Sequence, residues 1–242
     1  MGSSHQIVAH THDWDRTLVI MAKAPKPGRV KTRLNSSLPL PAVTDFYRCL
    51  LQDTLQLARS LGDVEIAIMC PSSDVSDMAG LVGDGVRVVA QSGDGLAAAL
   101  TSVFREFTAT GRRVIAFNSD SPHLPPSVLE SAFEALITSD LIVGPTHDGG
   151  YYLVGARATH PELFEGDGMG TGKALDRLLA RASTMQLSVG FSDPFYDVDV
   201  ADDLVRLAGE LEVAPDRAPR TAAWLKQWAL AEGQLQTGTG EL

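Results

Sequence analysis

The sequence predicts a single α/β domain in three layers around a mostly parallel sheet, because short β-branched apolar runs alternate with longer amphipathic ones along most of the chain. Gly and Pro punctuate the boundaries, and polar clusters recur directly after the apolar runs. At 242 residues and 44% hydrophobic, the chain can bury one sizeable core without covalent staples. Composition shows no break between Thr17 and Leu207.

The elements follow in order. Residues 17–21 read as a buried strand that breaks into a Pro- and Gly-containing basic loop. Val43, Phe46, Tyr47, Leu50, Leu51, Leu55 and Ala58 recur at helical spacing over 41–61, and Gly62 stops them. Strands are expected at 64–69 and 86–90, a helix at 96–107, and a strand at 114–117 that runs into Asn-Ser-Asp-Ser-Pro. A helix over 126–137 precedes strands at 141–143 and 151–154, with Asp-Gly-Gly turning between them. Helices at 171–182 and 201–211 flank a strand near 195–198, and Asp in the first turn of the second suits the helix dipole.

Three segments are expected: an unstructured N-terminal extension over 1–16, the α/β domain over 17–212, and a helical tail over 213–242. Trp224 and Trp228 lie one turn apart on the tail, placed either to dock it on the body or to make a contact between subunits.

Composition also excludes classes of function. With a net charge of -10 and scattered basic residues, there is no phosphate-tracking surface for nucleic acid. Cys49 and Cys70 are the only cysteines, which rules out a disulfide framework or zinc knuckle. No stretch is apolar for the length of a bilayer and no apolar signal core opens the chain, so the expected location is the cytoplasm.

Ligands of an open α/β sheet bind outside the carboxyl ends of its strands, which draws attention to four polar clusters. The first, over 23–33, carries five cations with two prolines and a glycine. Gly28 lets backbone N–H groups approach a phosphate, Lys31 supplies a point charge and Arg33 a bidentate fork. Ala22, Lys23 and Pro27 belong to the same nucleotide-binding set.

Lys23-Ala-Pro-Lys-Pro-Gly-Arg-Val-Lys-Thr-Arg-Leu resembles the opening signature of a bacterial family of GT-A-like glycosyltransferases. Asn118-Ser-Asp-Ser-Pro-His-Leu-Pro and Gly144-Pro-Thr-His-Asp-Gly-Gly-Tyr-Tyr-Leu-Val-Gly are similar to its later signatures, in order. Asp197-Val-Asp199 with Asp202-Asp203-Leu204 resembles the closing element. The resemblance implies a Rossmann-like GT-A, or nucleotide-diphosphosugar transferase, fold, shared with phospholactate and molybdenum-cofactor guanylyltransferases. The segment from Gln91 through Gly95-Leu-Ala-Ala-Ala-Leu100 departs from the family pattern toward those guanylyltransferases, and it adds Gln91 and Gly95 to the nucleotide-binding set.

By the same resemblance Asp120 is a metal ligand beside the nucleotide, with Asp199 as the second, holding Mg2+ or Mn2+ together with phosphate oxygens. Each also has a structural alternative as a turn or helix cap. Asp148 and Lys31 are the catalytic candidates; Asp148 suits a sugar hydroxyl, an acceptor or proton transfer, against the alternative of an Asx turn. Neither His123 nor His147 has metal-ligand spacing, and neither is assigned a role. Gly166-Asp-Gly-Met-Gly-Thr-Gly-Lys173 fails the phosphate-loop pattern, because Ala174 replaces the hydroxyl residue that holds magnesium. Thr171 is expected to cap the following helix or touch an acceptor.

The expectation is a metal-dependent transferase with a nucleotide-sugar donor and a small-molecule acceptor. Its rivals are a nucleotidyltransferase joining a nucleoside triphosphate to a phosphorylated acceptor, and a non-catalytic nucleotide-binding protein. Monomer and homo-oligomer are both left open.

Overall fold

The structure is a computed structural model and describes residues 14–108, 111–165 and 172–237. Most of the N-terminal extension, Thr171 and nearly all of the segment opening at Gly166 lie outside the described residues.

A seven-stranded sheet forms the middle layer. Its strands are β1 (Arg16–Met21), β2 (Glu65–Cys70), β3 (Arg87–Ala90), β4 (Arg113–Asn118), β5 (Leu141–Pro145), β6 (Tyr151–Ala156) and β7 (Val189–Phe191). Their order is β3-β2-β1-β4-β6-β5-β7, and β6 alone runs antiparallel, on both of its sides. β1 is paired in parallel with β2 on one side and β4 on the other, so the chain reverses its direction of winding at β1.

Side-chain alternation along β1 divides the core into two layers. Leu18 and Ile20 join the cluster under α1 (Leu40–Ser60), α2 (Val75–Val82) and α4 (Pro126–Ala135), together with Leu51, Met78 and Phe133. Val19 points the other way, into the cluster under α3 (Gly95–Phe107), α5 (Pro161–Phe164) and α6 (Ala174–Thr184), with Phe104, Phe164 and Leu178. Strands buried on both faces read as continuous apolar runs, which is why the sequence exposed them.

A third cluster sits at one flank and positions the site. Val30 from the basic loop, Leu34 just after it, Phe46, Tyr47 and Leu50 from α1, and Val198 pack under α7 (Ala201–Val213) and α8 (Pro219–Thr237). On the tail, Trp224 packs on Phe46 at 4.9 Å between centroids and stacks on Trp228 at 5.6 Å. Asp53, fully buried in α1, accepts the backbone N–H groups of Arg220 at 3.3 Å and Thr221 at 2.8 Å, and the Thr221 hydroxyl at 2.8 Å. A side chain from α1 therefore caps the first turn of α8, satisfying donors that no helix can satisfy internally.

Three elements escaped the sequence reading, and one expected strand is absent. α2, α5 and β7 are short, and β7 is a three-residue edge with a central glycine, too brief for its period to register. The strand expected near 195–198 is not one: only Phe195 makes a bridge, to Thr146. Its neighbours leave the sheet and bond instead to the loop after β4, where Val198 N–H donates to the Asp120 carbonyl at 3.3 Å and the Ser121 hydroxyl donates to the Tyr196 carbonyl at 2.8 Å. Among the described residues no helix is long and apolar enough to cross a membrane.

Candidate functional site

A cleft of about 770 Å³ opens at the carboxyl ends of β1, β2, β3 and β4, where the winding reverses. Open parallel sheets leave a crevice at such a switch point because the loops on either side diverge to opposite faces. Ala22, Lys23, Lys31, Arg33, Gln91, Gly95, Asp120 and Asp199 all line it. Pro27, Gly28 and Asp148 are not among the lining residues.

Pro27 and Gly28 act one step back. The Arg29 N–H donates to the Lys26 carbonyl at 3.1 Å, closing a turn in which Gly28 has φ 72°, the positive value that a type II turn demands of its third residue. Lys26 is drawn out of the phosphate-binding role that its place in the loop suggests. Its ammonium pairs with buried Asp74 at 2.9 Å and Asp77 at 2.7 Å, while Asp74 also accepts the Ala24 N–H at 3.0 Å. The basic loop is thus anchored to the start of α2. Lys23 and Arg29 line the cleft and carry no ion pair among the described residues.

Lys31 has φ 45° and ψ 44°, a left-handed conformation uncommon for a residue with a side chain. Its ammonium lies 2.8 Å from Asp120 Oδ2 and 2.7 Å from Asp199 Oδ1, and its side chain is 4% exposed. Burial alone would favour the neutral amine, but Asp120 and Asp199 overcome it and hold Lys31 well above the usual lysine range. Arg33, 67% exposed, reaches Asp199 Oδ2 from the rim at 3.4 Å.

Asp197 completes the cluster. One oxygen from each of Asp120, Asp197 and Asp199 falls within 4.8 Å of the others. Burial, then the neighbouring Asp199 charge, pushes the Asp197 carboxyl up to about 6. Asp197 was not identified as a ligand from sequence, although the signal was there: in an extended segment residues two apart share a face, and Val198 between them is fully buried. Neither Asp120 nor Asp199 spends its carboxylate as a cap. Asp120 Oδ1 accepts the Ser119 hydroxyl at 3.2 Å, and the entry to α7 is capped by Asp203, which accepts the N–H groups of Asp199 and Val200 at 2.8 and 2.9 Å.

Asp148 sits in the turn between β5 and β6, where its Oδ1 accepts the Thr146 hydroxyl and, at 3.1 Å, the Gly150 N–H, the arrangement of an Asx turn. Those hydrogen bonds hold its carboxyl below the usual range, with the Arg33 charge adding in the same direction. His123 is fully buried between Phe195 and Tyr196, at 4.8 and 4.9 Å between centroids.

Residues 54–171 match the family described as an uncharacterized protein conserved in bacteria, DUF2064. No curated protein matches the chain. Among solved structures, a candidate nucleotide-diphospho-sugar transferase from Desulfovibrio desulfuricans G20 is 27% identical, with a TM-score of 0.82 over 88% of this chain and 94% of that one. Rv0371c from Mycobacterium tuberculosis H37Rv, solved in complex with manganese, is 22% identical with a TM-score of 0.50, over 79% of this chain and 96% of that one. A nucleotidyl transferase from Methanothermobacter thermautotroptrophicus is 19% identical with a TM-score of 0.56, over 82% and 99%. The architecture is that of the nucleotide-diphospho-sugar transferases, and its structural neighbours include nucleotidyltransferases.

Proposed function

We propose that this chain is a metal-dependent transferase that takes a nucleotide-diphosphate-sugar donor and passes the sugar to a small-molecule acceptor. The observation that carries the reading is the convergence of three carboxylates, Asp120 and Asp199 of which line a cation-lined cleft at the sheet's switch point. The donor set fits a hard divalent cation: carboxylate oxygens from Asp120, Asp197 and Asp199 converge, and the Lys31 ammonium stands among them as a cation already accommodated. Mg2+ or Mn2+ held there offsets charge on the departing phosphate oxygen. The manganese complex of Rv0371c, which shares the fold, supports that choice of ion.

The cleft's 770 Å³ is in the range of ordinary small-molecule sites, roughly 300–1,000 Å³, so a nucleotide with its diphosphate fits. Lys23 and Arg29 bind the phosphates with Arg33 at the rim, while Gln91 and Gly95 border the nucleoside end. Asp148, held in its turn within reach of the Arg33 charge, contacts the sugar or the acceptor.

A second reading keeps the same site and attacks the α-phosphorus of a nucleoside triphosphate, releasing pyrophosphate. Two cations in the cleft without an ion pair among the described residues, Lys23 and Arg29, favour it, since a triphosphate brings more charge than a diphosphate. The test is incubation with Mn2+ and a panel of nucleotide-sugars and nucleoside triphosphates, assaying free nucleoside diphosphate and pyrophosphate. Nucleoside diphosphate release that disappears in Asp120→Asn establishes the first reading. Pyrophosphate release with no nucleotide-sugar cleaved replaces it with the second, and binding without turnover reduces the chain to a nucleotide-binding protein.

A further inference from the structure

We infer that the Lys31 ammonium is the resting counter-ion of the Asp120, Asp197 and Asp199 cluster, and that its displacement links divalent-cation binding to phosphate binding. The inference rests on the metal reading above and assigns Lys31 a role that a simple phosphate contact would not have.

Three features of the structure lead to it. First, the ammonium bridges Asp120 and Asp199 at 2.8 and 2.7 Å, two of the three carboxylates whose oxygens converge. Second, the backbone on either side is fixed, because Val30 and Leu34 are buried in the third core cluster and Leu34 N–H donates to the Lys31 carbonyl at 2.9 Å. Only the four-carbon stem is left to move, and a flexible stem carrying a compact charge suits a group that changes partners better than a planar guanidinium does. Third, Asp120 and Asp199 are the only ion-pair partners of Lys31 among the described residues.

Lys31 must therefore leave its position before the carboxylates can coordinate a divalent cation. A buried ammonium stripped of its partners is costly, so Lys31 turns into the cleft that it already lines and takes the nearest anion. A polyphosphate in the cleft supplies that anion. Each ligand removes an obstacle to the other, and linkage requires the effect to be reciprocal. Without phosphate, Lys31 competes with the cation and keeps its affinity low.

Direct contact between cation and phosphate also couples the two, so the test isolates the part due to Lys31. Mn2+ affinity is measured by electron paramagnetic resonance of the free ion for wild type, Lys31→Met and Lys31→Arg, each with and without inorganic pyrophosphate. We expect Lys31→Met to bind Mn2+ about tenfold more tightly than wild type without pyrophosphate and to gain less from adding it. Lys31→Arg, which keeps the charge, stays near wild type. Should Lys31→Met fail to fold, Lys31→Gln, neutral and still able to donate to the aspartates, is measured instead with the same expected direction. Equal or weaker Mn2+ binding in the neutral variant overturns the inference while leaving the metal site standing. Absence of Mn2+ binding from every form overturns both.

Discussion

The Tyr47 hydroxyl lies 3.1 Å from the Ser119 hydroxyl and accepts the Lys23 N–H at 3.1 Å, so one buried phenol on α1 ties the loop after β1 to the loop after β4. The Ser119 hydroxyl donates onward to Asp120 Oδ1 at 3.2 Å, and with its single proton committed there, the proton between the two hydroxyls is the tyrosine's. Backbone, phenol, hydroxyl and carboxylate form one chain between the basic loop and the carboxylate cluster.

Tyr47→Phe breaks that chain at its centre and leaves the Lys23 N–H without its acceptor. We expect a loss of about 1–3 kcal/mol in urea unfolding and a weaker affinity for Mn2+, because Asp120 loses its aim. Unchanged Mn2+ affinity in a destabilised protein would show that the phenol only braces the fold.

Gly149 has φ 85°, and a Cβ added there would lie 2.1 Å from the Gly172 carbonyl oxygen, a backbone atom that cannot swing aside. Gly28 has φ 72° and open space around the same position. Gly149→Ala is therefore expected to cost more than about 2 kcal/mol, and Gly28→Ala about 1 kcal/mol from backbone strain alone. Chemical denaturation of the two variants side by side checks the order, and equal losses would refute the contact at Gly172.

His123 titrates well below its ordinary value. Burial pushes its pKa down to about 4, against the opposing pull of the Glu210 carboxylate 3.6 Å away. The unfolded chain takes up this proton near pH 6.5 and the folded one near 4, so the stability it contributes is complete above pH 6.5 and is lost as the pH falls to 4, about 3 kcal/mol in all. Asp197, pushed up to about 6, acts with the opposite sort of sign: its contribution is complete below its unfolded value and is lost as the pH rises through 6. The difference between wild type and His123→Phe across pH 4 to 7 is thus the quantity to measure, and a difference that does not vary with pH would exclude this role.

Asp53→Ala removes the acceptor for two backbone donors and a hydroxyl at the start of α8. The expected cost is about 2–4 kcal/mol, from a lost cap combined with buried donors left unpaired. Because Trp224 and Trp228 ride on that helix, limited proteolysis should cut the tail of the variant first, with tryptophan fluorescence shifting to the red. Cleavage at the wild-type rate would show that the Trp224 contact with Phe46 holds the tail by itself.

Much of this protein was legible in its sequence because the signals were local. Strands buried on both faces declare themselves as continuous apolar runs, as at Leu18, Val19 and Ile20, and α1 declares itself through the spacing of Phe46, Leu50 and Leu51. A polar cluster at the end of such a run, as at Asp120, follows from the way a parallel sheet presents its loops. What the sequence left open depends on contacts between distant segments. Nothing local to 23–33 tells that Lys26 is claimed by Asp74 and Lys31 by Asp120 and Asp199, leaving Lys23 and Arg29 in the cleft without an ion pair among the described residues. Asp197 reaches the site only because its segment abandons the sheet to bond with the loop of Asp120. Composition and period determined the layers and which loops could hold a ligand; long-range charge pairing, which has no period, was decided by the tertiary structure alone.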